Sequence, residues 1–79
     1  MITVLYFARV AELTGQRQEQ WPLEHPVSVR EWLEQLRVHH PALRPAQALR
    51  VAINQYHATS ETLIHPGDEV AVFEPVTGG

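Results

Sequence analysis

Apolar and polar positions along this chain change their period several times, and each change predicts an element. Residues 2–8, "ITVLYFA", are apolar at nearly every position, rich in β-branched and aromatic side chains and free of breakers. They predict a strand with apolar groups on both faces, hence a central one. In "ARVAELTG" (8–15), Val10 and Leu13 lie three apart and Gly15 stands where a helix stops. That predicts a helix of one or two turns. "QRQEQWPL" (16–23) is a polar strand candidate closed by Pro22, with a strongly solvated outer face. The clearest pattern is "VSVREWLEQLRVHH" (27–40), where Val29, Trp32, Leu33 and Leu36 recur at i, i+3, i+4 and i+7 as one apolar stripe. Ser28 and Glu31 make an S-x-x-E capping box, and Val27 ahead of the cap is placed to pack on Trp32. Pro41 ends this main helix.

Beyond it, 41–49 reads as a loop, "RVAIN" (50–54) as a strand, "NQYH" (54–57) as a turn and "TLI" (62–64) as a short extended piece. "HPGDE" (65–69) is a proline-glycine turn, and "EVAVFEPV" (69–76) is a closing strand. The stripe of the main helix must be buried on a sheet, so the layout is α+β. The apolar first and last strands are the natural central pair. Adjacent and parallel, they would give a ubiquitin-like β-grasp: a mixed sheet of four to five strands, one main helix on one face, and a flexible Gly-Gly tail. The expected division is a domain over 1–74 and an extended tail over 75–79.

Composition narrows the function classes. Seventy-nine residues fit one small domain with a modest core, burying about 60–65% of the unfolded chain's surface. With 44% hydrophobic and 19% charged residues the chain has the balance of an ordinary globule. Its apolar runs are too short for a membrane span. Strand-like sequence follows Met1 at once, so a cytoplasmic protein is expected. The absence of cysteine removes disulfides, thiolate metal sites and side-chain sulfur chemistry. A net charge of −3 gives no footprint for nucleic acid. All six basic residues are arginine, which excludes a Schiff-base or P-loop lysine and a side-chain acceptor for isopeptide bonds.

Side-chain chemistry is sparse. His39 and His40 are adjacent, and on a helix they would diverge by about 100°, which weighs against a shared metal. Their place near a helix C-terminus suits the dipole. His57 and His65 fall in turns, and no H-x-x-x-H or H-E-x-x-H pattern occurs, so no metal site is expected. Glu31 and Glu34 are explained by capping and solvation, and "TSET" (59–62) by turn chemistry. There is no nucleophile elbow, phosphate loop or dinucleotide fingerprint. No convergent polar cluster and no active-site pocket of the chain's own are expected.

The tail offers more. Strand alternation assigns Ile2, Val4, Val70 and Val72 to the core. Leu5, Phe7 and Phe73 then form an exposed apolar patch on the open face, of the kind that meets a partner. Pro75 lacks an N–H and stops strand pairing. Gly78 and Gly79, without Cβ atoms, could thread a narrow channel and present the α-carboxylate. A carboxylate is a poor electrophile and needs activation, for example as an acyl-adenylate.

"VLYFA" with "AELTG", "VAINQ" (51–55) and "HPGDEVAVFEPVTGG" (65–79) resemble the small subunits of molybdopterin synthases, in order along the whole chain. The resemblance implies a β-grasp sulfur carrier whose terminal glycine, here Gly79, is adenylated with ATP by an enzyme related to ubiquitin-activating enzymes. Gly79 then becomes a thiocarboxylate. It implies no stably bound cofactor. The partner is the large, catalytic subunit, commonly in a heterotetramer, which uses the sulfur to build the molybdopterin dithiolene. By the same resemblance Gly78 threads, Val76 and Thr77 line the approach, and Phe7 and Phe73, with Leu5 and Pro75, contact the partner. Two positions depart from the usual pattern: Glu74 replaces the first of two prolines, and Ala11 an arginine. The rival readings are a sulfur carrier for thiamin or tRNA thiolation, a ubiquitin-like protein modifier, and a plain interaction module. The long capped helix argues against the thiamin carrier.

Overall fold

The computed structural model describes residues 1–45 and 48–75. Strand β1 (Ile2–Tyr6) is followed by helix α1 (Ala8–Thr14), strand β2 (Gln18–Trp21), the short strand β3 (Val27–Ser28) and helix α2 (Val29–His39). After a 3-10 turn (Pro41–Leu43) come β4 (Arg50–Ile53), β5 (Tyr56–His57), β6 (Leu63–Ile64) and β7 (Glu69–Phe73). The main sheet runs in the order β2-β1-β7-β4-β5, and β3 pairs with β6 in a separate two-stranded ribbon. The β1–β7 pair is parallel and the other pairings are antiparallel. The expected central pair is therefore adjacent and parallel.

The reason lies in the strand pattern. Ile2, Val4, Tyr6, Val70 and Val72 fall on one face of β1 and β7 and are buried. Trp32, Leu36 and Val29 from α2 close over them, joined by Val10 of α1, Val51 and Ile64. Each fully buried aliphatic side chain contributes roughly 1.5–3 kcal/mol, so the stripe read from the sequence is what seats the helix. Ser28 Oγ accepts the Glu31 N–H at 3.1 Å and starts α2. Val27 is partly buried against the core cluster that includes Trp32.

Gly15 ends α1 in the left-handed region (φ 75°), its N–H donating to the Ala11 carbonyl at 2.9 Å. Asn54 and Gln55 both take positive φ, 50° and 73°, and form the two-residue turn between β4 and β5. The 41–49 segment expected as a plain loop carries the 3-10 turn, and Leu43 within it is fully buried. Pro41 starts this tighter turn as well as ending α2, so Leu43 is carried back to the core. Among the described residues no helix is long and apolar enough to cross a membrane.

Candidate functional site

The helix-free face of the sheet is organised by register. Gln18, Leu5, Ala71, Ala52 and His57 lie opposite one another across the five strands, and so share that face. Two alanines in the middle of the row leave the sheet low there. The next row pairs Phe73 with Arg50. The Phe73 ring meets His57 edge-on, with centroids 5.7 Å apart. Phe73 and Leu5 are each half-buried.

Phe7 lies just past β1, at the cap of α1. Its N–H donates to the Val72 carbonyl at 3.2 Å, and its own carbonyl accepts from Val10 N at 3.0 Å. Ala8 then takes φ 50°, turning the chain from strand to helix in one residue. That corner leaves the Phe7 ring 49% exposed. An open depression of about 800 Å3 runs beside it, lined among others by Leu5, Phe7, Ala11, Glu12 and Arg17. Leu5 and Phe73 share the helix-free face with Phe7 at its edge, but of the patch expected to be exposed only Phe7 is so; Leu5 and Phe73 are half-buried. Ala11 lines the same depression.

β7 closes at Phe73, two residues ahead of Pro75, which is half-buried. The chain therefore leaves the fold from the middle of the sheet, beside Phe7. Val76, Thr77, Gly78 and Gly79 lie outside the described residues.

A second cluster was not foreseen. Glu19 faces the core side of β2, opposite Val4. Its Oε1 accepts from Tyr6 Oη at 2.6 Å, from Trp21 Nε1 at 2.9 Å and from His40 Nε2 at 2.9 Å. Its Oε2 lies 3.5 Å from His39 Nε2. Burial works against the charge on this carboxylate. The hydrogen bonds from Tyr6, His40 and Trp21 outweigh it and hold the group down at about 2. Burial first, and the neighbouring carboxylate second, push the Tyr6 hydroxyl up.

The adjacent histidines therefore do not diverge as expected. α2 ends at His39, and His40 leaves helical geometry with φ −124° and ψ 83°. The 100° offset of a continuing helix does not apply, and the two rings meet edge-to-face at 4.8 Å. The expectation that no polar groups converge is likewise corrected. The signal was in the sequence: in "QEQW", alternation puts Glu19 and Trp21 on the face opposite Gln18 and Gln20, and a buried tyrosine hydroxyl needs a partner.

A model of the ThiS family matches residues 4–79. The molybdopterin synthase sulfur carrier subunit of Homo sapiens is 32% identical over 82 residues, covering 99% of this chain and 93% of that protein. The subunit of the same description from Escherichia coli K12 is 37% identical over 86 residues, and the match covers both chains completely. Among solved structures, small archaeal modifier protein 1 of Haloferax volcanii superposes with a TM-score of 0.82 at 27% identity, covering 95% of this chain and 97% of that one. With β1 and β7 parallel at the centre of a mixed sheet, one long helix across it and a family match over nearly its whole length, the chain belongs to the ThiS family.

Proposed function

We propose that this chain is the sulfur carrier subunit of a molybdopterin synthase. The observation that carries the proposal is the end-to-end match to curated carrier subunits of that enzyme, which runs through the two glycines at positions 78 and 79. The fold supports it in one further respect. The central strand hands the chain out beside Phe7 and Phe73, so a partner that grips this apolar edge receives the tail in the same encounter.

The chemistry belongs to the backbone. An oxygen of the Gly79 carboxylate attacks the α-phosphate of ATP on an activating enzyme, and pyrophosphate leaves. Hydrosulfide then attacks the acyl carbon of the adenylate, the bond to AMP breaks and AMP leaves, and the terminus becomes a thiocarboxylate. In the large subunit the thiocarboxylate sulfur is transferred to the pterin precursor, and Gly79 returns as a carboxylate after hydrolysis. A dithiolene holds two sulfurs and each terminus carries one, so two loaded chains serve each product. A heterotetramer with two copies of each subunit fits that count. The chain lacks cysteine, and a terminal thiocarboxylate gives it a nucleophilic sulfur without one. A cytoplasmic carrier is in keeping with this reading, since its activating enzyme needs ATP.

Intact mass spectrometry of the chain made with its activating enzyme tests this reading. Replacement of the terminal hydroxyl oxygen by sulfur adds about 16 Da, and deletion of Gly79 is expected to abolish both that species and molybdopterin formation in cells lacking their own small subunit. Normal molybdopterin synthesis by the Gly79-deleted chain would refute it. A chain instead recovered in amide linkage to other proteins, with no sulfur-bearing species, would favour a protein modifier.

A further inference from the structure

We infer that Glu19, His39 and His40 form a binding site for a single zinc ion, which fastens β2 to the end of α2. The donor set is one carboxylate and two imidazoles. These are zinc ligands of ordinary type, and three of them leave a fourth position for water. One ligand atom from each residue can be chosen so that all lie within 4.8 Å of one another. His39 Nε2 stands 3.5 Å from Glu19 Oε2. Tetrahedral zinc with bonds of about 2.0–2.1 Å sets its ligand atoms roughly 3.3 Å apart, so this pair already spans one edge of such a site.

The surroundings favour the same reading. Tyr6 and Trp21 both donate to Oε1 and fix the carboxylate plane, while His40 Nε2, 2.9 Å from the same oxygen, gives up that proton and hydrogen bond when it takes the metal. Hydrogen bonds of this kind orient metal-binding carboxylates. Oε2 keeps only the longer approach of His39 and is the oxygen free to take the metal. Glu19 and His40 are held, with side chains 18% and 14% exposed. His39 is 58% exposed and can swing onto an ion at little cost. A cleft of about 190 Å3, bordered by Glu19, Trp21, Pro22 and His39, opens beside the group. Its volume leaves room, on the Glu19 and His39 side, for the water of a bound ion, since a water molecule occupies about 30 Å3; His40 does not border it. The site is independent of the sulfur-carrying tail and would stand if that reading failed.

Zinc titrated into the untagged full-length chain, followed by calorimetry and by the imidazole 15N resonances, tests the site. One ion per chain is expected. The ring signals of His39 and His40 should shift while those of His25, His57 and His65 stay in place. Magnesium should give no heat and no shifts. His39→Ala, at an exposed position, should lower the melting temperature of the zinc-free chain only slightly, through the lost contacts with Glu19 and Trp21, and weaken zinc binding at least about tenfold. The zinc-dependent rise in melting temperature should fall with it. Absence of zinc binding, shifts at the other three histidines instead, or equal affinity in the His39→Ala chain would each overturn the assignment.

Discussion

The β2–α2 corner and the open face treat their side chains in opposite ways. At the corner, four neighbours turn toward Glu19, with three hydrogen bonds on Oε1 and His39 near Oε2. Oε1 is satisfied within the chain, and Oε2 keeps only the longer approach of His39. On the open face, Phe7 is half exposed, Leu5 and Phe73 are half-buried, and Ala71 and Ala52 continue the row from Leu5 across β7 and β4. Apolar surface of that kind gains by being covered. The corner therefore holds the fold together, and the open face is available to a partner. Substitutions at the two places should separate: stability without affinity at one, affinity without stability at the other.

The largest stability loss is expected from Glu19→Gln. An amide keeps one acceptor for Tyr6 or Trp21 but turns an NH2 donor toward the histidines and removes the charge. The carboxylate is held at about 2 against an ordinary value near 4.5, and its side chain is 18% exposed. At about 1.36 kcal/mol per unit, that corresponds to about 3 kcal/mol. The sign follows from a folded value below the unfolded one. The stabilisation is complete above the unfolded value and is lost as pH falls from about 4.5 toward 2. Urea unfolding of both chains across this range should show a constant gap at neutral pH that narrows in acid. A gap independent of pH, or none at pH 7, would remove Glu19 from the role of anchor. Affinity for the large subunit should be the same for both chains, and a change there would break the comparison.

Phe7→Ala is the mirror experiment. Truncation of a partner-contact aromatic costs roughly 1–3 kcal/mol of binding, while an exposed position costs within about 0.5 kcal/mol of stability. Calorimetric titration of the large subunit should therefore show the loss with the unfolding midpoint unmoved. Phe73→Ala should weaken binding too, but with a stability cost, because His57 packs on its ring. If both variants bind as the unaltered chain does, the open face is not the docking surface.

Much of this was legible in the sequence because it rests on local periodicity. The 3.6-residue stripe of 29–36 and the two-residue alternation of 2–6 and 69–73 gave the helix, the central pair and the buried face. Gly15 and Ser28 marked helix boundaries through conformational and hydrogen-bonding needs that act within a few residues. The Glu19 corner was hidden for the opposite reason. Glu19 meets His40, 21 residues away, only after β2 has taken the edge beside β1 and α2 has crossed the sheet. Helix geometry also misled, because a rule for residues inside a helix was applied to a pair straddling its end. The Leu43 turn was missed because a single buried leucine has no period.

Gly15 joins the two regions, since it ends the helix beside the open face and starts the chain toward β2. Its φ of 75° is a conformation that L-residues adopt at a cost of about 1–2 kcal/mol. A Cβ built there would meet nothing within 4 Å, so no clash adds to the backbone term. Gly15→Ala should therefore cost about 1 kcal/mol in urea unfolding, with the denaturant slope unchanged. It should leave the zinc stoichiometry as it is and change the affinity for the large subunit little, because it strains the link and adds only a methyl group at the rim of the depression beside Phe7. Ala8→Gly is the converse case at φ 50°, since glycine occupies that region freely. It should be neutral or slightly stabilising. An unchanged midpoint in Gly15→Ala would mean that the helix end relaxes out of the left-handed region when a side chain is present. A drop accompanied by weaker binding would mean that the corner and the open face are coupled through this link.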